Sequence, residues 1–256
     1  MLESLPSDSH ACVIGASRGI GLEFVRQVAA QPRIALVHAG CRDPGHADAL
    51  VALAREQPKL RIIAIDVADE ASIANACTAI TASSPRLHLV VNTAGVLHDT
   101  TLGMQPEKRL VEVRSDTLAH AFAVNGAGPL LIAKHLEACI PTRERAIFAS
   151  ISAKVGSIGD NRLGGWYAYR ASKAAQNMAL KTLAIEWARS RRQTVVVALH
   201  PGTTDTDLSR PFQANVPQDK LFTTERCVRQ LLGVIDRLQP ADSGRFYGWD
   251  GSELPW

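Results

Sequence analysis

The chain has 256 residues, a formal net charge of +3 and 46% hydrophobic residues, enough to bury a substantial core. The small charge and scattered basic residues argue against nucleic-acid binding as the main task, and no apolar run approaches the roughly 20 residues that span a bilayer. The five cysteines are widely spaced without a C-x-x-C pair, and Met1–His10 lacks a secretory pattern, so buried thiols and a cytoplasmic location are expected.

Short apolar runs alternate with helical patterns. Strands are predicted over Ala11–Ile14, Ile34–Ala39, Leu60–Asp66, Leu87–Asn92, Arg145–Ser150, Thr194–His200 and Gly244–Trp249. Helices are predicted over Gly19–Ala30, His46–Gln57, Glu70–Ser83, Ser115–Cys139, Tyr169–Ser190 and Thr224–Leu238. Runs such as "IALVHA" and "TVVVALH" show little polar alternation, as in strands covered on both faces. This order predicts right-handed βαβ crossovers and an α/β fold. The sheet should be doubly wound, mostly parallel and seven-stranded, with helices on both faces of a single domain. Irregular regions at Leu97–Arg114 and Gly202–Thr223 follow candidate strands. They belong at the carboxyl edge of the sheet, where such folds bind ligands and long loops serve as lids.

After the first strand, "CVIGASRGIGLEFVRQ" places Gly15, Gly19 and Gly21 before a helix. Gly15 permits a sharp turn, Gly19 permits close approach to a phosphate, and Gly21 lets the helix pack on the strand. The opening helix offers free N–H groups to a pyrophosphate. Glycine collects in ordinary turns too, but the strand–loop–helix setting points to a dinucleotide. A carboxylate ending the second strand would favour NAD(H). Here that strand runs into Gly40-Cys41-Arg42, and Arg42 with Arg18 suits the 2′-phosphate of NADP(H). NADP(H) is therefore favoured over NAD(H), although Asp43 adjoins Arg42. Asp66 is placed either to meet the adenine or to cap the next helix.

In "YAYRASKAAQN", Tyr169 and Lys173 share one helical face. A free phenol titrates near about 10. A neighbouring ammonium and an oxidised nicotinamide both favour phenolate and are expected to lower that value. Tyr169 then suits the general acid of carbonyl reduction and the base of the reverse reaction. The same spacing is common in surface pairs.

The segments "GASRGIG" (Gly15–Gly21), "NTAG" (Asn92–Gly95), "FAVNGAGP" around Asn125, "YRASK" (Tyr169–Lys173) and "HPGTTDT" (His200–Thr206) occur in one order. With them the chain resembles a classical short-chain dehydrogenase/reductase with a Rossmann fold, over nearly its whole length. "KVGSIGDNRLGGWYAYRASKAAQN" and the ending "SGRFYGWDGSELPW" are similar to the subgroup of C-factor signalling proteins and sniffer-type carbonyl reductases. The resemblance implies cofactor contacts from Gly15, Ser17, Arg18, Gly19, Ile20, Gly21, Arg42, Asp66, Val67, Asn92, Ala94, Gly95, Tyr169, Lys173, Pro201, Gly202, Thr204 and Thr206. Asn125 would hold a water relaying protons to Lys173, and Lys173 would also bind the nicotinamide ribose. Ile14 stands where the family has a threonine, which removes a hydroxyl from the glycine loop.

A hydroxyl after the fifth strand would polarise the substrate carbonyl. Aligning Gly156 with the family's glycine puts Ala153 at that position. Ser152 is favoured, presented by a bulge or register change at the strand end, with Ser150 and Ser157 as alternatives.

These residues and the resemblance imply an NADP(H)-dependent oxidoreductase acting on a small-molecule carbonyl or alcohol, without a metal; the resemblance adds a homodimer or homotetramer, between which nothing in the sequence selects. Neither nucleic acid nor membrane is expected as a partner. The alternative is a non-catalytic dinucleotide sensor or signalling protein of the C-factor type. His98 reads as a solvated lid histidine and His200 as one satisfied by the backbone. Trp166 and Phe212 suit an apolar wall or plain loop packing, and Arg189–Gln193 complements a helix dipole.

Overall fold

The computed structural model describes residues 1–256, the side chain of Asn215 excepted. The main strands are β1 (Ser9–Ile14), β2 (Ile34–Cys41), β3 (Leu60–Ala64), β4 (Leu89–Asn92), β5 (Ala146–Ile151) and β6 (Thr194–His200). A short pair, β7 (Thr203–Thr204) and β8 (Leu221–Phe222), follows, and β9 (Arg245–Gly248) ends the set. The helices are α1 (Gly19–Ala29), α2 (Asp48–Glu56), α3 (Glu70–Ser83), α4 (Ser115–Ala121), α5 (Gly128–Leu136), α6 (Tyr167–Ser190) and α7 (Thr224–Arg237). Seven strands form one sheet in the order β3-β2-β1-β4-β5-β6-β9, every pairing parallel. The predicted α/β architecture is present, and the sheet is wholly parallel.

Alternating strand residues feed two cores, which is why the strands read as unbroken apolar runs. Val13, Val37, Val91, Ile147 and Val197 meet Phe24, Leu50 and Leu231 from α1, α2 and α7. Cys12, Val90, Phe148 and Val196 meet Ile73, Ile132 and Trp187 from α3, α5 and α6. All five cysteines are buried free thiols. Among the described residues, no helix is long and apolar enough to cross a membrane.

The chain winds outward from β1 to β3, then returns to lay β4 on the other side of β1. The crevice beyond β1 and β4 is thus the point where strand order reverses, the ligand-binding place of open α/β sheets. Register gathers the site there: Gly40, Ile14, Asn92, Ser150 and Ala198 form one row across five strands.

Several predicted boundaries change. The helix expected over Ser115–Cys139 is broken by a π-helical stretch, Phe122–Ala127, and closes in a 3₁₀ turn, Glu137–Cys139. Pro129 has no N–H for the Asn125 carbonyl four residues back, and the Gly128 N–H reaches five back to Ala123. The second predicted helix opens instead as a 3₁₀ turn, Pro44–His46. The third strand stops at Ala64, two residues before Asp66, and α6 starts two residues before Tyr169. The second lid is not wholly irregular, because β7 pairs with β8.

Candidate active site

At the glycine loop, Gly15 has φ +86°, and a Cβ there would stand 2.6 Å from Thr93 Oγ1 and 2.7 Å from the Ala94 nitrogen. Only glycine suits such a turn. Gly21 packs directly on the Gly15 carbonyl, and half-buried Ile20 packs on the first core. The loop does not need the threonine missing at Ile14. Thr93 Oγ1 donates to the Ile14 carbonyl at 2.7 Å and lies 3.2 Å from the Gly15 carbonyl, so the hydroxyl comes from the end of β4. Helix α1 opens after Arg18 with no side-chain cap, leaving first-turn N–H groups for an anion. Ser17 lies half-buried just before it.

The proton-handling groups lie on the first turns of α6. Trp166, at φ +53°, turns the chain into the helix, and its ring meets Tyr169 edge-on at 6.3 Å between centroids. Glu107 supports this start, its carbonyl accepting from Trp166 and its carboxylate from the Ala168 N–H. Tyr169 is 8% exposed, and its hydroxyl makes no hydrogen bond among the described residues. Lys173 Nζ lies 5.9 Å from the Tyr169 ring centre and donates to the Ile151 carbonyl at 3.0 Å and to Gln176 Oε1 at 2.8 Å. Burial governs both groups: it pushes the phenol well above its ordinary value and the ammonium down to about 7. Burial thus acts on Tyr169 in the direction opposite to the lowering expected from Lys173 together with an oxidised nicotinamide.

Asn125 sits fully buried in the π-helical stretch. Its Oδ1 accepts from the Val96 N–H at 2.8 Å, and its Nδ2 donates to the Val96 carbonyl at 2.8 Å and Ser172 Oγ at 3.0 Å. With the side chain spent in this way, the backbone carbonyl of Asn125 is the polar group of this residue that Pro129 denies a helical N–H. Gly95 faces the same spot, since a Cβ there would stand 3.3 Å from Asn125 Oδ1 and 3.6 Å from Lys173 Nζ. Ala94 is half-buried beside it. Asn92 is fully buried, its Nδ2 donating to Ser150 Oγ at 2.9 Å and its Oδ1 accepting from the Ala94 N–H at 3.3 Å.

The serines share neighbouring positions. Ser150 Oγ accepts from Asn92 and, at 2.8 Å, from Gln176 Nε2. Ser152 Oγ donates to Asn177 Oδ1 at 2.7 Å. Both face α6, as residues two apart on a strand must. The ladder continues without a bulge, with Ser152 N–H donating to the Leu199 carbonyl, so the expected bulge or register change is absent. Ser157 Oγ accepts from the Asp160 N–H and points into its own turn.

A short chain dehydrogenase family model matches residues 9–217. The chain belongs to the short-chain dehydrogenase family. It is 32% identical over 249 residues, 97% of this chain and 100% of the relative, to a 1-hydroxy-2-glutathionyl-2-methyl-3-butene dehydrogenase of Rhodococcus sp. strain AD45. It is 37% identical over 142 residues to the C-signal protein of Myxococcus xanthus, which covers 54% of this chain and 78% of that one. The NADPH-bound carbonyl reductase from chicken fatty liver superposes with TM-score 0.85 at 28% identity, covering 98% of this chain and 95% of that one. Carbonyl reductase Sniffer of D. melanogaster gives 0.84 at 26%, covering 98% and 100%. The resemblance to the C-factor and sniffer-type subgroup is therefore present in sequence and fold, and this short-chain dehydrogenase has the scaffold of an oxidoreductase.

The residues fit a dinucleotide: the start of α1 is uncapped, and Gly95 leaves bare backbone beside Lys173 and Asn125. On the ribose side Arg42 is exposed with no carboxylate partner among the described residues. The adjacent Asp43 turns to its own loop, accepting from the Gly45 N–H at 3.0 Å and pairing with His46 at 2.6 Å. The His46 hydrogen bond holds Asp43 below the usual carboxylate range. Half-buried Asp66 is not the cap of the following helix; Asp69 is, while Asp66 accepts from the Ala68 N–H. Val67 is buried against the start of α5.

Both lids come to this edge. Pro201 is half-buried, and Gly202 turns with φ +72° over Phe222 and Trp249. Thr204 donates to the Pro201 carbonyl at 3.3 Å, and Thr206 places its methyl 3.3 Å from where a Gly19 Cβ would stand. His200 accepts from the Lys154 N–H at 3.3 Å, and burial pushes it down to about 4. His98 is not solvated: its Nε2 donates to the Asp207 carbonyl at 3.3 Å and its ring lies 6.1 Å from Phe212. Phe212 in turn lies 5.1 Å from Trp166, so these rings form a wall ending at Tyr169. Sequence patterning left this wall undecided and gave no sign of Gln176 or Thr93, nor of how closely Gly156 packs on Lys173.

Proposed function

We propose that this short-chain dehydrogenase is an NADP(H)-dependent reductase converting a small-molecule carbonyl to an alcohol, or running the reverse oxidation. The observation carrying this reading is the phenol of Tyr169, buried on the first turns of α6 beside a buried Lys173 whose Nζ lies 5.9 Å from its ring centre. A buried, protonated phenol is the right state for a general acid.

Gly15, Ser17, Gly19, Ile20 and Gly21 would cradle the pyrophosphate, with Asp66 and Val67 beside the adenine. Unpaired Arg42 and the Arg18 guanidinium would hold a 2′-phosphate, and Asn92, Ala94, Gly95, Pro201, Gly202, Thr204 and Thr206 would border the nicotinamide half. A reduced nicotinamide bound there supplies the hydride. Tyr169 gives its proton to the carbonyl oxygen as negative charge develops on it. Lys173 steadies the phenolate left behind, holds the nicotinamide ribose, and returns a proton through a water on Asn125.

Ser152 polarises the carbonyl. Turning the Asn177 amide over would let its nitrogen donate to Ser152 Oγ and free the serine O–H for substrate. This accords with the Asn177 Nδ2, which is buried without a partner in the present orientation.

The test is NADPH oxidation over a panel of carbonyl compounds, run beside NADH. Tyr169→Phe should lower kcat by about 10²- to 10⁴-fold while NADPH binding persists. Full turnover by that variant would refute the mechanism. The likeness to C-signal supports a second reading, a dinucleotide-binding signalling protein. Tight NADPH binding without turnover on any carbonyl would favour it.

A further inference from the structure

Three loops of the cleft meet at Asp207. Its Oδ2 accepts from Arg18 Nη1 at 3.0 Å, and its Oδ1 lies 2.9 Å from Arg210 Nη2. Its carbonyl accepts from His98 Nε2 at 3.3 Å. Arg18 belongs to the glycine loop, His98 to the first lid and Arg210 to the second. The carboxylate borders a cleft of about 260 Å³ between the first turn of α1 and the second lid, shared with Gly19 and Thr206.

The Arg18 guanidinium is thus claimed twice, by Asp207 in this arrangement and by the 2′-phosphate in the cofactor reading above, on which this inference rests. A phosphate dianion reaching Arg18 must also approach the Asp207 charge. We propose that Asp207 is a specificity-determining residue for the dinucleotide. It holds Arg18 against the second lid, so that a 2′-phosphate must displace the pair while a free 2′-hydroxyl leaves it in place. Nature of the ligand follows from charge: Asp207 weakens the grip on NADP(H) and leaves NAD(H) untouched, narrowing the preference between them.

Both partners are largely exposed, with side-chain exposures of 76% for Arg18 and 43% for Asp207, so the effect is modest and sensitive to salt. The experiment is equilibrium titration of NADPH and NADH, followed by protein fluorescence, on the full chain and on Asp207→Asn, Arg18→Ala and the double variant. Asp207→Asn should tighten NADPH by about two- to fivefold at low salt, leave NADH unchanged, and have no effect once Arg18 is alanine. An unchanged NADPH-to-NADH ratio in Asp207→Asn, with Arg18→Ala weakening NADPH, overturns the proposal but keeps the cofactor reading. An equal change for both dinucleotides overturns it in favour of plain lid anchoring. If Arg18→Ala leaves the ratio unchanged, Arg18 does not bind the phosphate, and the proposal falls with that reading.

Discussion

Lys173 Nζ donates to Gln176 Oε1 at 2.8 Å, and the nitrogen of the same amide donates to Ser150 Oγ at 2.8 Å. Gln176 thereby joins the ammonium to the end of β5, one turn below the phenol it serves. The strand end thus holds Lys173 both through this amide and directly, through the Ile151 carbonyl at 3.0 Å.

Replacing that amide should move the titration of Lys173. Burial already draws it down to about 7. Gln176→Leu removes an acceptor that favours the charged form, so the value should fall further; Gln176→Glu adds a negative charge and should raise it. The pH profile of kcat reads both directions. Shifts of the same sign in the two variants would show that Gln176 does not tune the ammonium. Gln176→Leu should also cost about 1–3 kcal/mol of stability, because buried partners lose their hydrogen bonds.

Gly156 lies so close to α6 that a Cβ would stand 2.6 Å from Lys173 Cβ and 3.0 Å from its carbonyl carbon. Gly156→Ala should force the helix from the strand end at a cost of about 1–3 kcal/mol. The displaced catalytic turn should lower kcat by roughly 10- to 100-fold. Steady-state kinetics with a folded, melting-point-verified variant checks this, and unaltered kcat would refute the close coupling.

Thr93 replaces the hydroxyl absent at Ile14. Thr93→Val should cost about 1 kcal/mol, which lowers Tm by roughly 2–4 °C in a chain of this size. It should weaken NADPH and NADH alike, because it acts through loop geometry rather than on the 2′-phosphate. Thr93→Ser keeps the hydroxyl and should restore both measurements.

His38 is buried in β2, where its Nε2 meets Ser84 Oγ at 2.7 Å and the same oxygen lies 2.8 Å from His10 Nδ1. Burial pushes His38 down to about 4 from 6.5, with the nearby His10 and Arg61 charges acting in the same direction. The unfolded chain takes up this proton near pH 6.5 and the folded chain only near 4. The neutral ring's contribution is therefore complete above pH 6.5 and is lost as pH falls from there towards 4, by up to about 3 kcal/mol. Urea unfolding at pH 7 and 4.5 should show a smaller acid loss for His38→Leu than for the parent. His200 titrates in the same window in both proteins, so the difference isolates His38.

The parallel sheet was legible because its strands are buried on both faces, a property that leaves its mark on neighbouring residues. Helical spacing puts Tyr169 and Lys173 on one face, but the pair stands out only in the company of the glycine loop, Asn92, Asn125 and the Pro201-Gly202 turn. Even the π-helical stretch had a signal in "NGAGP", where Pro129 denies a partner to the Asn125 carbonyl. The serine was harder. Strand alternation fixes that Ser150 and Ser152 share a face, but not which α6 side chain each meets. Trp166 and Phe212, 46 positions apart, form a wall only because the second lid folds over the start of α6.

By itself, then, the sequence determined the order of strands and helices and the glycine loop, set by local spacing or by burial along an element, and it marked the Tyr169–Lys173 pair through the motifs that accompany it. Tertiary structure alone decided what surrounds the pair: Gln176 and Gly156 against Lys173, Thr93 in place of a first-strand hydroxyl, and Arg18 on Asp207. It also decided the burial of the phenol, for the expected pull of Lys173 on Tyr169 is a local argument, whereas desolvation is a property of the whole fold. Desolvation depends on every layer packed over a group, and no window of sequence contains them.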